Sequence, residues 1–376
     1  MARLFGDAQL PASDPWLRRA MELAERGRGT TSPNPVVGCV LVREGAVVGE
    51  GFHERAGGPH AEIVALEAAG DAAQGATAYV TLEPCNHHGR TAPCADALVR
   101  AGVSRVVMGM RDPNPGVAGG GAATLRAAGV EVEFAADASP FEEQLLEWTT
   151  FVLTGRPFVR VKVAVTLDGH PGLAEGVRSQ LTGQGAAEVT MRLRRAADAV
   201  LVGAGTVTVD DPSLTARDPE GRPDARQPLR VVLARTTTPP ATARLFGDGR
   251  GPAAVLQPEE TDADPAIVAT GARVIGYPVA EGLAAAFAAL GREGVASVLV
   301  EAGPRLLTAL LDDDLVDELV LIHAGGMAGA GAPPLYVGES QQDPSTLARG
   351  MRAIEAGVAG GDAVTVWRRS GADDED

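Results

Sequence analysis

The sequence predicts two α/β units in series. Three observations carry that expectation. At 376 residues the chain exceeds what one ordinary hydrophobic core fills. Short apolar runs rich in Val alternate with helical patterns, and the alternation starts twice. Between the two series stands Thr154-Gly-Arg-Pro157, a natural break. The boundaries read as residues 1–153 for the first unit, 157–369 for the second and 370–376 for an acidic tail.

The elements follow in order. Asp14 is placed to cap a helix from Trp16 to Arg26, with Gly27 just past its end. Residues 36–42 and 46–52 read as two strands turning at Glu44-Gly45. A helix is expected from His60 to Ala69, then a strand over 77–82 that Pro84 stops. Helix 94–101, strand 104–110, helix 119–128, strand 130–134 and helix 141–152 complete the first series. The second series opens with strand 158–165, which carries Lys162 at its centre. Helix 186–196, strand 199–202, a polar loop over about 210–227, strand 229–233 and strand 297–301 follow, and Gly303-Pro304 opens a helix.

Composition narrows the function. Lys plus Arg is 33 and Asp plus Glu is 49, so the net charge is −16. Such a chain is a poor general binder of phosphate backbones, which argues against nucleic acid. One phosphate on a small substrate is still within reach of local arginines and helix N-termini. Three cysteines in so long a chain argue for a reducing compartment, and no apolar leader or membrane span is visible. The expected location is the cytoplasm. Cys39, mid-strand among Val and Leu, reads as a small core residue.

His60-Ala-Glu62 begins a helix, Pro84-Cys85 ends a strand and Cys94 begins the next helix. One imidazole and two thiolates would leave a tetrahedral Zn2+ with an open position for water. Glu62, two residues from the histidine, would move protons without being a ligand. A structural zinc site would use four protein ligands, and Glu62 would then have no purpose. The pattern therefore favours hydrolytic deamination, the chemistry associated with a His-x-Glu plus Pro-Cys pairing. Here, however, the eight residues Asn86 to Pro93 separate the two cysteines, where the short form has two.

That insertion is distinctive. Thr81-Leu-Glu-Pro-Cys-Asn-His-His-Gly-Arg-Thr-Ala-Pro-Cys94 closely resembles the bifunctional riboflavin-biosynthesis deaminase/reductase family. So do Ser32-Pro-Asn-Pro-Val-Val-Gly38, Ala56-Gly-Gly-Pro-His-Ala-Glu62 and Arg111-Asp-Pro-Asn-Pro115. The resemblance implies a cytidine-deaminase-like three-layer domain followed by a dihydrofolate-reductase-like α/β domain. It implies deamination of a phosphoribosylaminopyrimidine, then NADPH reduction of its ribosyl group to ribityl, in a homo-oligomer. Asn34, His53, His87 and Arg90 would contact the deaminase substrate. Arg194, Leu214, Arg217 and Glu301 would hold the reductase substrate, and Val165, Thr206, Asp210 and Gly303 the cofactor. Lys162 and Asp168 stand where groups that position the reduction are expected.

The second half also departs from the family pattern. Arg178 and Gln180 stand where a Ser and a Trp are usual, and Arg235 replaces a Ser after the central strand. Losing the Trp removes a flat surface for a nucleotide, while the two arginines offer charge to an NADP phosphate. Two readings stay open on the residues alone: a working reductase, or a deaminase carrying a degenerate, non-catalytic second domain.

Overall fold

A computed structural model describes residues 14–86, 93–117, 120–174, 176–177, 179–338 and 350–369. The chain divides between Gly155 and Arg156 into two compact units, each with its own sheet.

The first unit runs α1 (Pro15–Glu25), β1 (Gly38–Arg43), β2 (Ala46–Phe52), α2 (Ala61–Ala69), β3 (Thr77–Leu82), α3 (Cys94–Arg100), β4 (Arg105–Met110), α4 (Gly120–Ala127), β5 (Glu131–Phe134) and α5 (Ser139–Thr154). Its sheet has the order β2-β1-β3-β4-β5, with β1 antiparallel to both neighbours and β3, β4 and β5 parallel. Alternation along β1 divides the core. Cys39 and Leu41 pack with Ala61 and Ala65 of α2, Leu98 of α3 and Leu125 of α4. On the other side Val40 and Val42 meet Leu23 of α1, while Phe141 of α5 joins Leu17 and Met21. Helices thus cover both faces, giving three layers. The Asp14 carboxylate caps α1 through the Trp16 and Leu17 N–H groups at 2.8 and 3.1 Å.

Glycines let two of these helices lie on the sheet backbone to backbone. A Cβ on Gly38 would stand 1.9 Å from the Ala20 carbonyl oxygen of α1. On Gly49 and Gly51 it would stand 2.3 and 2.4 Å from carbonyl oxygens of α2. No side chain fits there.

The second unit runs β6 (Phe158–Val165), α6 (Gln184–Ala196), β7 (Ala199–Gly203), α7 (Ala204–Asp210), β8 (Leu229–Leu233), α8 (Arg244–Gly247), β9 (Ala253–Pro258), α9 (Pro265–Ala269), β10 (Arg273–Tyr277), α10 (Gly282–Arg292), β11 (Ser297–Glu301), α11 (Pro304–Asp312), β12 (Glu318–His323), β13 (Met351–Ala359) and β14 (Asp362–Arg369). Its sheet has the order β10-β9-β8-β7-β11-β6-β12-β14-β13, parallel from β10 to β12 and antiparallel at β14 and β13. The central parallel strands are nearly all apolar, as strands covered on both faces must be. One buried ionic group crosses β6, β12 and β14: Glu318, fully buried, pairs with Arg160 and, at 2.9 Å, with Arg368.

Two sequence expectations change here. Residues 204–210 form α7, so Asp210, expected to open the polar loop, closes a short helix that also carries Thr206. The stretch 36–42 becomes a strand only from Gly38; Val36 and Val37 lie in the irregular stretch that follows the turn at Ser32-Pro33. Strands β9, β10 and β12 to β14 and helix α10 were not legible as separate elements.

Candidate active sites

In the first unit three elements deliver three donors to one place. His60 is the N-cap of α2, Cys85 follows the end of β3, and Cys94 is the first residue of α3. Their ligand atoms all lie within 4.8 Å of one another. His60 Nδ1 is 3.2 Å from Cys94 Sγ and 3.6 Å from Cys85 Sγ. The Cys94 backbone N–H donates to Cys85 Sγ at 3.4 Å, a helix N-terminus turned toward a sulfur. A borderline-soft divalent cation fits this donor set, and one nitrogen with two sulfurs selects zinc before calcium or magnesium.

The two thiols perturb each other electrostatically. The Cys94 thiol donates to Cys85, and His60 adds to that, so the Cys85 thiol falls to about 4. Cys94, facing Cys85, burial and Glu62, is pushed up. Glu62, in the first turn of α2, is 3% exposed; burial and then Cys85 raise its carboxyl above the usual range. A carboxyl of that kind takes and gives protons closer to neutral pH.

Beside this cluster, Asn34 Nδ2 lies 3.1 Å from His53 Nε2, and His53 Nδ1 lies 2.9 Å from the Pro59 carbonyl oxygen. A carbonyl only accepts, so Nδ1 carries the proton and Nε2 accepts from Asn34. The pair is self-consistent, and it leaves Asn34 Oδ1 as an acceptor. The rings of His53 and His60 meet edge to face with centroids 5.4 Å apart. His87 and Arg90 lie outside the described residues.

In the second unit the expected residues gather at the C-terminal ends of parallel strands, the usual place for ligands in such sheets. Arg194 of α6 grips Glu301 of β11 with both arms, Nε to Oε1 at 2.6 Å and Nη2 to Oε2 at 3.0 Å, and donates to the Thr215 carbonyl at 2.9 Å. Lys162 is the register partner of Glu301. It is also the only lysine among 33 basic residues. Burial pushes the Glu301 carboxyl up, but Arg194 and Lys162 outweigh it and hold it at about 2.

Arg217 carries a buried Nε with no partner among the described residues. Burial, then Arg194, Arg250 and Arg244, hold its guanidinium below the ordinary range. A half-buried cation among further cations is a place for an anion. Arg244 and Arg250 escaped the sequence reading because they lie in a stretch with no motif. Asp211 and Asp248 tie that stretch to residues 211–217: Asp211 accepts from the Arg244 N–H at 2.7 Å, and Asp248 accepts from Ser213 Oγ at 2.9 Å. Leu214, 1% exposed, holds φ +55°, a conformation that costs a non-glycine residue about 1 kcal/mol.

Gly303 caps α11, and a Cβ there would stand 3.9 Å from Thr206 Oγ1; Gly205 faces open space. These two glycines leave a cradle at a helix N-terminus that suits a phosphate. Val165 ends β6, and its carbonyl accepts from the Ala324 N–H at 2.8 Å. Asp168 is engaged structurally, accepting from Thr166 Oγ1 at 2.6 Å and from the Ala328 and Gly329 N–H groups at 3.0 and 2.8 Å. Gln180 is exposed, and Arg178 lies outside the described residues. Arg235 is exposed just past β8, where its charge acts on the Tyr277 phenol.

Comparison with known proteins agrees with both halves. Residues 12–110 match the family model of the cytidine and deoxycytidylate deaminase zinc-binding region, and residues 157–359 match that of the RibD C-terminal domain. Among curated relatives, the riboflavin biosynthesis protein RibD of Escherichia coli is 41% identical over 84% of this chain and 89% of its own length. That of Aquifex aeolicus is 39% identical over 84% and 88%. The solved structure of Acinetobacter baumannii RibD matches with a TM-score of 0.85 at 36% identity, covering 95% of this chain and 98% of that one. A diaminohydroxyphosphoribosylaminopyrimidine deaminase/5-amino-6-(5-phosphoribosylamino)uracil reductase from Thermotoga maritima matches with a TM-score of 0.80 at 33% identity, over 94% and 98%.

Proposed function

This chain belongs to the bifunctional riboflavin-biosynthesis deaminase/reductase family, and from that premise we propose how its residues divide the chemistry. It is a bifunctional enzyme of riboflavin biosynthesis, with a deaminase in its first unit and a reductase in its second. The substrate we infer is 2,5-diamino-6-(5-phosphoribosylamino)pyrimidin-4-one, deaminated first and then reduced at its ribosyl group with NADPH. The convergence of His60, Cys85 and Cys94 beside the buried Glu62 carries the first half of this reading.

His60, Cys85 and Cys94 would hold zinc, which when bound makes water a competent nucleophile near neutral pH. Glu62 takes a proton from the attacking water and delivers it to the departing amino nitrogen. Its raised affinity for a proton suits both transfers. Asn34, oriented by His53, offers Oδ1 to an N–H on the edge of the pyrimidine.

In the reductase, a nicotinamide cofactor in the cradle of Thr206, Asp210 and Gly303 would supply hydride to the opened sugar. One proton must follow the hydride. Lys162 is the group beside Glu301 that can release one, since the surrounding guanidiniums do not deprotonate. The Arg194–Glu301 pair holds the substrate, and Arg217 faces its phosphate. We read Arg235 as a charge for the cofactor and Asp168 as a loop anchor.

No helix among the described residues is long and apolar enough to cross a membrane. The homo-oligomeric state expected of this family is checked by sedimentation, and a cytoplasmic location by cell fractionation. The functional test is direct. Purified chain given the diaminopyrimidinone must release ammonia. Given the deaminated product, it must consume absorbance at the nicotinamide band. Ammonia release without NADPH consumption would sink the reductase half, and zinc-free active protein would sink the metal assignment.

A further inference from the structure

Glu83 has no part in the chemistry above, yet its carboxylate is 3% exposed and held between two backbone donors. Oε1 accepts from the Ala122 N–H of α4 at 2.8 Å, and Oε2 accepts from the Asp112 N–H at 3.4 Å. Its own N–H donates to the Met110 carbonyl at 3.0 Å, where β4 ends. A buried carboxylate is costly unless it is hydrogen-bonded, and two opposed N–H groups require a side chain that only accepts.

The partner helix rests on the residues around Cys85. A Cβ on Gly121 would stand 1.9 Å from the Pro84 carbonyl oxygen, and one on Gly120 would stand 1.9 Å from Asn86 Nδ2. The start of α4 is thus pressed against Pro84 and Asn86, and Glu83 pulls it there. From the other side, the Ala95 N–H donates to the Cys85 carbonyl at 3.1 Å. Cys85 lies past the last residue of β3, so these two helix starts fix its position in place of a strand ladder.

We propose that Glu83 is a positioning residue for the metal site: by drawing the start of α4 onto Pro84 and Asn86, it sets where Cys85 Sγ stands relative to His60 and Cys94. The inference rests on reading those three residues as metal ligands. Metal–ligand distances tolerate only about 0.2 Å, so a small shift of one donor is felt. Loss of groups that orient ligands typically weakens metal binding about 10–100-fold.

The test is Glu83→Gln in the full chain, which keeps volume but turns an N–H donor toward a backbone donor. Zinc affinity is read by competition with a chromophoric chelator. Ligand geometry is read from the thiolate-to-cobalt absorption of the cobalt-loaded protein. Zinc affinity should fall about 10–100-fold, with a weakened or shifted cobalt band, at a temperature where the metal-free variant is still folded. A parental competition curve and cobalt spectrum in the variant overturn the proposal, whatever its melting temperature. If Glu83→Gln does not fold, Gly121→Ala decides, since it presses on the Pro84 carbonyl and leaves the carboxylate in place. Parental zinc affinity in that variant is equally fatal. A parent chain that holds no zinc removes the metal assignment as well, whereas tight zinc in both parent and variant removes only this inference.

Discussion

Replacing Glu301 with Gln separates charge from shape at the reductase site. The carboxylate is held at about 2, against an ordinary 4.5, because Arg194 and Lys162 outweigh burial. That difference corresponds to about 3 kcal/mol of folded-state stability at neutral pH. A similar figure follows from the cost of breaking a buried ion pair, about 3–5 kcal/mol. For a unit of this size the second thermal transition should fall by roughly 6–12 °C. The pH dependence has a definite sign. A carboxylate held below its unfolded value stabilises above about 4.5, and the contribution is lost as pH falls toward 2. Parent and variant should therefore differ most at pH 7 and converge in acid. Calorimetry at pH 7 and pH 3.5 measures this, while NADPH consumption falls about 10–100-fold, from loss of a charged hydrogen bond, and ammonia release persists. A variant that melts with the parent at pH 7, or a gap that does not shrink in acid, would refute the assignment of that charge.

Other outcomes are equally concrete. Glu62→Gln should retain zinc by metal analysis and lower ammonia release by about 10²–10⁴. Lys162→Arg keeps the positive charge but withholds the proton, so kcat for reduction should fall by about 10² or more; an unchanged kcat in stopped-flow would exclude Lys162 as the donor. Arg217→Ala should raise KM for the phosphorylated intermediate about 10–100-fold, from loss of a charged hydrogen bond, while KM for NADPH stays put; steady-state kinetics distinguishes the two. Glu318→Ala leaves Arg160 and Arg368 buried without their shared anion and should cost about 3–5 kcal/mol by denaturant titration.

The metal cluster was legible because its residue types sit at element ends. His60 precedes a helix, Cys94 starts one, and proline marks the turn before Cys85, so the sequence itself announces where each donor lies. The apolar run of Val, Leu and Cys in β1 likewise exposed a strand, one that is buried on both faces. Less was legible past Leu233. Residues 253–258 and 282–292 are both apolar and alanine-rich, and one folds as β9 and the other as α10, because neighbouring strands and not local periodicity decide. Short α7 was hidden for another reason: the β-branched run Thr206-Val-Thr-Val209 carries no helical pattern, and it folds as a helix directly after β7. Glu83 was passed over beside two louder residues, since a buried carboxylate shows its partners only in three dimensions. Arg217 was found through its motif, but the company of Arg244 and Arg250 depends on tertiary ties that no spacing encodes.

The glycines at 38, 49 and 51 have a consequence for how this chain tolerates change. Each lies where a helix backbone touches a strand backbone, and even alanine would strike a carbonyl. Two of them sit beneath α2, the helix whose first turn carries Glu62. In a saturation screen for deamination these positions should therefore be as unforgiving as the ligands themselves, although none can touch a substrate. A map of intolerance drawn from such a screen would outline two things at once: the chemistry, and the seam along which helix and sheet are pressed together to aim it.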